Sequence, residues 1–353
     1  MSRPVRVLII DDSALMRQLL SEFLAGDADI SVVGTAPDPI VARQKIKALT
    51  PDVVTLDIEM PKMDGLTFLE KIMRLRPMPV VMVSSLTQKG ADAALRALEL
   101  GAVDYVGKPA LDLRKGLSEL ADELIAKVKQ AARARIRPLR HDAEPVRVST
   151  GIGYVSTEKI IAVGASTGGV EALHEVLAPL PADSPAILVA QHMPEAFTAS
   201  FARRLDQRCA VAVAEARDGA RILPGHVYIA PGNHHLKVMR SGANYLCRLH
   251  DGPPVSGHRP SVDVLFRSTA LAAGRNAVGI ILTGMGKDGA VGLREMRDAG
   301  AHTIGQDEAS SLVYGMPRAA RELGAVETEL PLSRIPQAIL TLCERRRGPQ
   351  VRI

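Results

Sequence analysis

The sequence predicts two α/β domains in tandem. Each is built on a doubly wound, mostly parallel sheet, and the second carries an antiparallel hairpin insert. Three observations predict this. The chain has 353 residues, room for two domains of ordinary size. Short apolar runs rich in Val and Ile alternate with amphipathic stretches, the pattern of strands buried on both faces with helices between them. One polar segment, residues 131–157, interrupts that rhythm and separates residues 1–130 from residues 158–353.

In residues 1–130 the expected strands are Val5–Ile10, Ile30–Thr35, Val53–Leu56, Val80–Val83 and Tyr105–Val106. The helical patterns between and after them are Ala14–Leu24, Ile40–Leu49, Leu66–Leu75, Ala91–Leu100 and Leu113–Val128, which makes five β-α repeats. Residues 131–157 contain Arg133, Arg135, Arg137, Pro138, Arg140, Pro145 and Arg147, followed by Gly151 and Gly153, and read as a polar linker. The rhythm resumes with strands Ile160–Val163, Ile187–Ala190 and Ala277–Leu282 and helices Gly168–Leu177, Thr198–Arg208, Val262–Ala273 and Ala290–Ala299. Between residues 210 and 250 four short runs, Val211–Ala214, His226–Ala230, His235–Met239 and Tyr245–Leu249, lie among Pro-Gly, Gly-Asn and Ser-Gly turn signals and suggest the hairpin insert.

Composition excludes several functions. Hydrophobic residues make up 46% and charged residues 24%, a globular balance rather than a disordered one. Tryptophan is absent and aromatics reach only 3%, which argues against a base-stacking nucleic-acid surface. Cys209, Cys247 and Cys343 are odd in number and far apart, so neither a disulfide framework nor a thiolate zinc site is expected. The net charge of +5 is spread thinly: residues 1–130 carry 17 basic and 18 acidic side chains, residues 131–157 carry 5 and 2, and residues 158–353 carry 22 and 19. No dense basic face results. No apolar run approaches the ~18 residues of a membrane span. Asp11-Asp12 cut short the first apolar run, unlike a signal peptide. A cytoplasmic protein is expected, without membrane insertion or nucleic acid.

Two constellations carry chemistry. Asp11 and Asp12 follow the first strand, Asp57 ends the third, Ser84 follows the fourth and Lys108-Pro109 the fifth. Parallel strands point the same way, so these residues gather at one sheet edge, where such sheets bind ligands. Three crowded carboxylates raise one another's pKa unless a cation shares the site, and a hard divalent ion such as Mg²⁺ suits oxygen ligands. Asp57 is then a candidate nucleophile toward a phosphoryl group. Leu8-Ile-Ile-Asp-Asp-Ser13, Thr55-Leu-Asp-Ile-Glu-Met-Pro61, Met82-Val-Ser-Ser85 and Asp104-Tyr-Val-Gly-Lys-Pro109 resemble the receiver domain of response regulators over roughly residues 4–125. The resemblance implies a flavodoxin-like (βα)5 fold and phosphorylation of Asp57 by a histidine kinase. It also implies Mg²⁺ held by Asp12, Asp57 and the Glu59 carbonyl with Asp11 assisting, and switch positions at Ser84 and Tyr105 beside Lys108. By the same resemblance, Lys108-Pro109 is a candidate cis peptide.

Gly164-Ala-Ser-Thr-Gly168 follows a strand and opens a helix, the context in which G-x-S-x-G presents a nucleophilic serine. Ser166 needs a base, and the base an orienting acid. His192 follows the strand Ile187–Ala190, and Asp288 follows Ala277–Leu282, so both fall at the same edge as Ser166. His258-Arg259 reads mainly as a polar loop capped by Ser261 before a helix, and secondarily as a substrate-side contact. His234-His235 and His302 read as turn and strand-start residues, and no group has zinc-ligand spacing.

The segments Ile161–Gly169, Gln191–Pro194, His226–Gly232, His250–Pro254, Arg259–Phe266 and Ile281–Gly289, together with the receiver half, are similar to the CheB chemotaxis methylesterase family over almost the full length. That resemblance implies hydrolysis of γ-methyl-glutamyl esters on chemoreceptors and deamidation of receptor glutamines, with no cofactor at the esterase site. It further implies an oxyanion held by backbone N–H groups, Thr167 and Met285 being the candidates. One chain carrying a phosphoacceptor and a hydrolase joined by a short linker suggests that phosphorylation of Asp57 regulates the Ser166 site. A DNA-binding response regulator is the main competing class, but residues 158–353 lack a helix-turn-helix pattern and a basic helix. An ordinary small-ester hydrolase joined to a receiver is the other.

Overall fold

The computed structural model describes residues 3–60, 63–84, 87–108, 116–136 and 159–343. The chain divides into two compact units, Met1–Ala143 and Glu144–Ile353. Most of the expected linker, residues 137–157, lies outside the described residues, as does Pro109 of the Lys108-Pro109 pair.

The first unit holds β1 (Val5–Ile10), α1 (Ala14–Ala25), β2 (Ile30–Ala36), α2 (Pro39–Leu49), β3 (Val53–Asp57), α3 (Gly65–Leu75), β4 (Val80–Ser84), α4 (Gln88–Glu99), β5 (Asp104–Gly107) and α5 (Gly116–Ala131). Its five strands are all parallel in the order β2-β1-β3-β4-β5. β3 and β4 are buried along their whole length, which explains their unbroken apolar sequences. Four helices start where a side chain takes up an orphan backbone N–H. Ser13 accepts from Met16, Asp38 from Ile40 and Val41, Asp64 from Thr67, and Thr87 from Gly90. The strand order reverses between β1 and β3, so the crevice beyond their C-terminal ends is the natural ligand site.

The second unit holds β6 (Ile160–Ala165), α6 (Gly169–Leu177), β7 (Ala186–Gln191), α7 (Glu195–Asp206), β8 (Ala212–Glu215), β9 (His226–Ile229), β10 (His235–Ser241) and β11 (Asn244–His250). There follow α8 (Val262–Ala273), β12 (Ala277–Ile281), α9 (Ala290–Asp298), β13 (His302–Gln306), α10 (Met316–Glu322), β14 (Thr328–Leu330) and α11 (Ile335–Cys343). Seven strands form one parallel sheet in the order β14-β13-β12-β6-β7-β9-β8. β6 is central, with β7 on one side and β12 on the other, so this sheet also reverses direction beside its first strand.

The hairpin insert is β10 and β11, antiparallel from His235 opposite His250 to Ser241 opposite Asn244. The other two short runs of that region, β8 and β9, belong instead to the parallel sheet. The connection between them, residues 216–225, does not turn straight back. It is pinned to β11 by hydrogen bonds from Gly219 N–H to the Cys247 carbonyl, from Cys247 N–H to Ala220 and from Ile222 N–H to Tyr245. One core runs from Ala162 and Leu188 of the sheet through Val262, Leu265 and Phe266 of α8 to Leu236 and Val238 of the hairpin and Leu293 and Met296 of α9. α8 is therefore held on two sides.

Phe266 is fully buried in that core. Phe266→Ala should cost about 3–5 kcal/mol. Urea unfolding followed with a probe in the second unit should show the loss, while the first unit's transition stays in place.

Candidate active site

β6 delivers Ser166 into a tight turn whose closing bond runs from Gly169 N–H to the Ser166 carbonyl at 2.7 Å. Gly168 takes φ 77° and ψ 0°, the third position of a type II turn, where a residue with a side chain is strained. The positive φ falls on Gly168; Ser166 itself is outside the left-handed region. Three more bonds fix the turn. Ser166 N–H donates to the Thr283 carbonyl at 3.0 Å, Gln191 Nε2 donates to the Ser166 carbonyl at 3.0 Å, and His192 N–H donates to the Ala165 carbonyl at 3.1 Å. Gly284 passes so near that a Cβ there would lie 2.6 Å from Ser166 Cβ.

β7 ends at Gln191 and hands His192 to the same edge. His192 Nδ1 lies 3.2 Å from Ser166 Oγ, and Nε2 lies 2.8 Å from Asp288 Oδ2. An ionised carboxylate can only accept, so Nε2 carries the proton and the Nδ1 lone pair faces the serine hydroxyl.

Asp288 is buried, yet its carboxyl is held at about 2. Burial alone would push it up. The hydrogen bond and charge of His192 and the backbone N–H groups of Val262 and Asp263 outweigh that effect. Oδ2 accepts from Val262 N–H at 2.8 Å, and Oδ1 accepts from Asp263 N–H at 3.1 Å and from Ser261 Oγ at 2.8 Å. The carboxylate thus sits on the N-terminus of α8 and caps it from another part of the chain. Ser261, expected to cap this helix itself, makes no such bond; its hydroxyl is turned to Asp288. Asp263 is also buried and its carboxyl is raised, first by burial and then by the charge of Asp288 against the lowering Gly292 N–H bond.

The oxyanion candidates flank the serine. Thr167 is buried, and its carbonyl accepts from Thr283 Oγ1 at 3.0 Å. Met285 is exposed, and its N–H has no hydrogen-bond partner among the described residues. His258 lies against the ring of His192. Of the remaining histidines, His234 pairs with Asp251 and His302 with Glu327 at 3.0 Å. His235 is buried, with Nε2 against the Pro253 carbonyl at 3.0 Å and Nδ1 accepting from Ser261 N–H at 3.1 Å. A surface cavity of about 520 Å³ bordered by Glu195, Glu215, Arg217 and His234 includes none of Ser166, His192 and Asp288.

The second cluster lies in the first unit. Carboxylate oxygens of Asp11, Asp12 and Asp57 approach within 4.8 Å of one another. Lys108 Nζ is 2.7 Å from Asp57 Oδ2 and 3.3 Å from Asp11 Oδ2. Burial raises Asp57 to about 6 against the lowering hydrogen bond of Lys108, and it raises Asp11 too. Asp57 and Asp11 are both buried and share the one lysine, so this set is short of positive charge and fits a hard divalent cation. Glu59 is exposed, and its N–H donates to Asp57 Oδ1 at 3.2 Å. Ser84 Oγ donates to the Gly90 carbonyl at 3.2 Å. Tyr105 is buried beneath the Lys127 ammonium, 4.8 Å from its ring centre, and burial pushes its phenol well up.

Similarity to known proteins accords with this geometry. Residues 7–120 match the response regulator receiver domain family and residues 161–339 the CheB methylesterase family. A Geobacter metallireducens protein named protein-glutamate methylesterase/protein-glutamine glutaminase 1 is 57% identical, across 100% of this chain and 99% of its own length. The chain belongs to the CheB methylesterase family. A Salmonella typhimurium member, named protein-glutamate methylesterase/protein-glutamine glutaminase, is 58% identical over 95% of this chain and 96% of its own. The crystal structure of the Thermotoga maritima CheB methylesterase catalytic domain superposes with a TM-score of 0.52 at 38% identity, covering 53% of this chain and 100% of that domain. CheB membership disfavours the DNA-binding reading of the second half.

Two outcomes follow from these charges. The folded Asp288 carboxyl, at about 2, lies below its unfolded value of 3.8. Its stabilisation is therefore present above about pH 4 and lost as the pH falls toward 2. Asp288→Asn should be less stable than the parent by about 2 kcal/mol at pH 7, and the gap should close between pH 4 and 2 in urea titrations. Mg²⁺ should raise the melting midpoint of the first unit in the parent protein, and Asp57→Asn should reduce that rise.

Proposed function

We propose that the chain is a phosphorylation-regulated esterase and deamidase of chemoreceptors. In this reading residues 1–130 are the receiver, 131–157 the linker and 158–353 the catalytic domain. The substrates are γ-methyl-glutamyl esters, which release methanol, and certain receptor glutamines, which release ammonia. The observation that carries the reading is the hydrogen-bonded series Ser166–His192–Asp288, at 3.2 and 2.8 Å, in a chain of this family.

The chemistry follows from the proton positions. Ser166 Oγ attacks the side-chain carbonyl carbon while His192 Nδ1 takes its proton. The carbonyl oxygen becomes an oxyanion, and the Thr167 and Met285 N–H groups are its donors. The imidazolium gives the proton to the departing methoxide or amide nitrogen, leaving an acyl-serine. Water, deprotonated by Nδ1, then attacks the acyl carbon; the bond from that carbon to Oγ breaks, the imidazolium returns its proton to Ser166 Oγ, and glutamate is released. Asp288 stays ionised throughout, orienting the ring and offsetting its transient charge.

In the receiver, a carboxylate oxygen of Asp57 attacks the phosphorus of a histidine kinase's phosphohistidine, and the phosphorus–nitrogen bond breaks to release the kinase's imidazole. Asp11, Asp12 and Asp57, with the Glu59 carbonyl, would hold Mg²⁺, which when bound neutralises phosphoryl charge. Lys108 pairs with the new phosphoryl oxygens, and Ser84 exchanges its Gly90 partner for one of them. Tyr105 is the second switch position. These roles put the protein in the cytoplasm with its kinase; no described helix is long and apolar enough to cross a membrane.

The test is methanol release from membranes bearing methylated chemoreceptor. Release should rise with a small phosphodonor plus Mg²⁺, and the rise should vanish in Asp57→Asn. Ser166→Ala should abolish release, and Asp288→Asn should lower kcat by roughly 10⁴-fold. Release from small esters alone would instead favour an unrelated hydrolase, and release indifferent to phosphodonor would remove the proposed regulation.

A further inference from the structure

The His258 ring lies flat on that of His192. The centroids are 3.7 Å apart and the planes differ by 11°. The loop delivers it by a definite route. Val255 N–H donates to the His258 carbonyl and His258 N–H to the Val255 carbonyl, each at 3.0 Å, across the two-residue turn Ser256-Gly257. Both turn residues are left-handed, with φ 53° and 80°, as a type I′ turn requires. The next residue is fastened as well: Arg259 Nη1 donates to the Gly252 carbonyl at 3.1 Å, and the Arg259 carbonyl accepts from Asn233 N–H at 3.3 Å. Two residues further, Ser261 Oγ donates to Asp288. One short segment therefore touches the imidazole through its face and the carboxylate through a hydroxyl.

We propose that His258 is a positioning residue for His192. It covers one face of the ring, blocks rotation about Cβ–Cγ and supports the cation formed when Nδ1 takes the Ser166 proton. The proposal rests on the Ser166–His192–Asp288 reading above. Hydrogen bonds at Nδ1 and Nε2 hold two points on the edge of the ring; they leave it free to tilt about the line joining them. A ring stacked at 3.7 Å removes that tilt. A π face within ~6 Å of a cation attracts it, and the attraction exists only after proton transfer, so it favours the transition state over the bound ester. The effect belongs in kcat rather than in KM and amounts to about tenfold.

Methanol release from methylated receptor membranes is measured for His258→Ala, His258→Phe and, as a control, Ser166→Ala. The Nε2–H proton of His192, bonded to Asp288 at 2.8 Å, should give a far-downfield proton NMR line, which His192→Ala identifies by its loss. His258→Ala should lower kcat about tenfold at unchanged KM and broaden that line through exchange with water. His258→Phe restores a flat ring and should keep kcat within about threefold of the parent, with the line intact. A His258→Ala kcat within twofold of the parent overturns the proposal. So does equal loss in the Ala and Phe variants, or a loss confined to KM. Should His258→Ala fail to fold, the Phe variant decides alone: retained kcat and line support the proposal, a tenfold loss overturns it. Full activity in Ser166→Ala would sink the underlying triad, a result separate from all of these.

Discussion

The second unit is organised around one buried anion. Asp288 accepts from two backbone N–H groups at the start of α8, from the Ser261 hydroxyl and from His192. A buried carboxylate is costly unless such donors surround it, and a helix N-terminus offers them ready-made. The arrangement is mutual: α8 gains a cap, and the carboxylate gains the solvation it lost. It also fixes everything upstream in the chemistry. With the carboxylate ionised, Nε2 of His192 must donate, and Nδ1 is left to face Ser166. Asp263, next to it, carries the link outward, because Gly292 N–H at the start of α9 donates to its Oδ1 at 2.7 Å. The core that seats Phe266 thus also holds the orienting carboxylate in place.

Both units use the same solution to positioning. Parallel strands end together at one edge, and a reversal of strand order opens a crevice there. In the first unit the residues that emerge are three carboxylates and a lysine; in the second they are a serine, a histidine and an aspartate. The sheets decide where the side chains meet, and the loops decide what they can do. In the second unit the loops supply small residues at the contact points, Gly168 for a positive φ and Gly284 for close approach to Ser166.

Much of this is legible in the sequence because burial on both faces leaves unmistakable runs of Val and Ile. Residues that follow such runs are the ones a parallel sheet brings together, which is how Asp57, Ser166, His192 and Asp288 stand out. The sequence does not reveal partners set by tertiary contact. β8 and β9 are four residues each, and a four-residue run between turns looks the same whether its neighbour is parallel or antiparallel. Ser261 has the right residue type and place for a local cap, and only the approach of Asp288 shows why its hydroxyl turns away. His258 reads as a polar loop residue because stacking leaves no periodicity. Its one local signal is Ser256-Gly257, a pair suited to a tight turn. Gln191 gives a fainter signal still, a polar residue closing a buried strand, which here holds the Ser166 carbonyl.

The two central aspartates show how environment divides one residue type into two roles. Asp57 and Asp288 are both buried, yet one is raised to about 6 and the other held at about 2. Desolvation acts on both in the same direction, so the difference lies in the donors. Asp288 has fixed N–H groups and an imidazole, all part of the fold, and its charge is permanent at any physiological pH. Asp57 has one lysine shared with Asp11, plus a single long backbone bond, and a second carboxylate nearby that opposes it. Its charge is incompletely balanced by the side chains of the fold, and a cation from outside would complete the balance. A permanent anion suits a group that must orient a base in every turnover. A conditional one suits a group whose state must change, and the fold supplies each by the number of donors it places within reach.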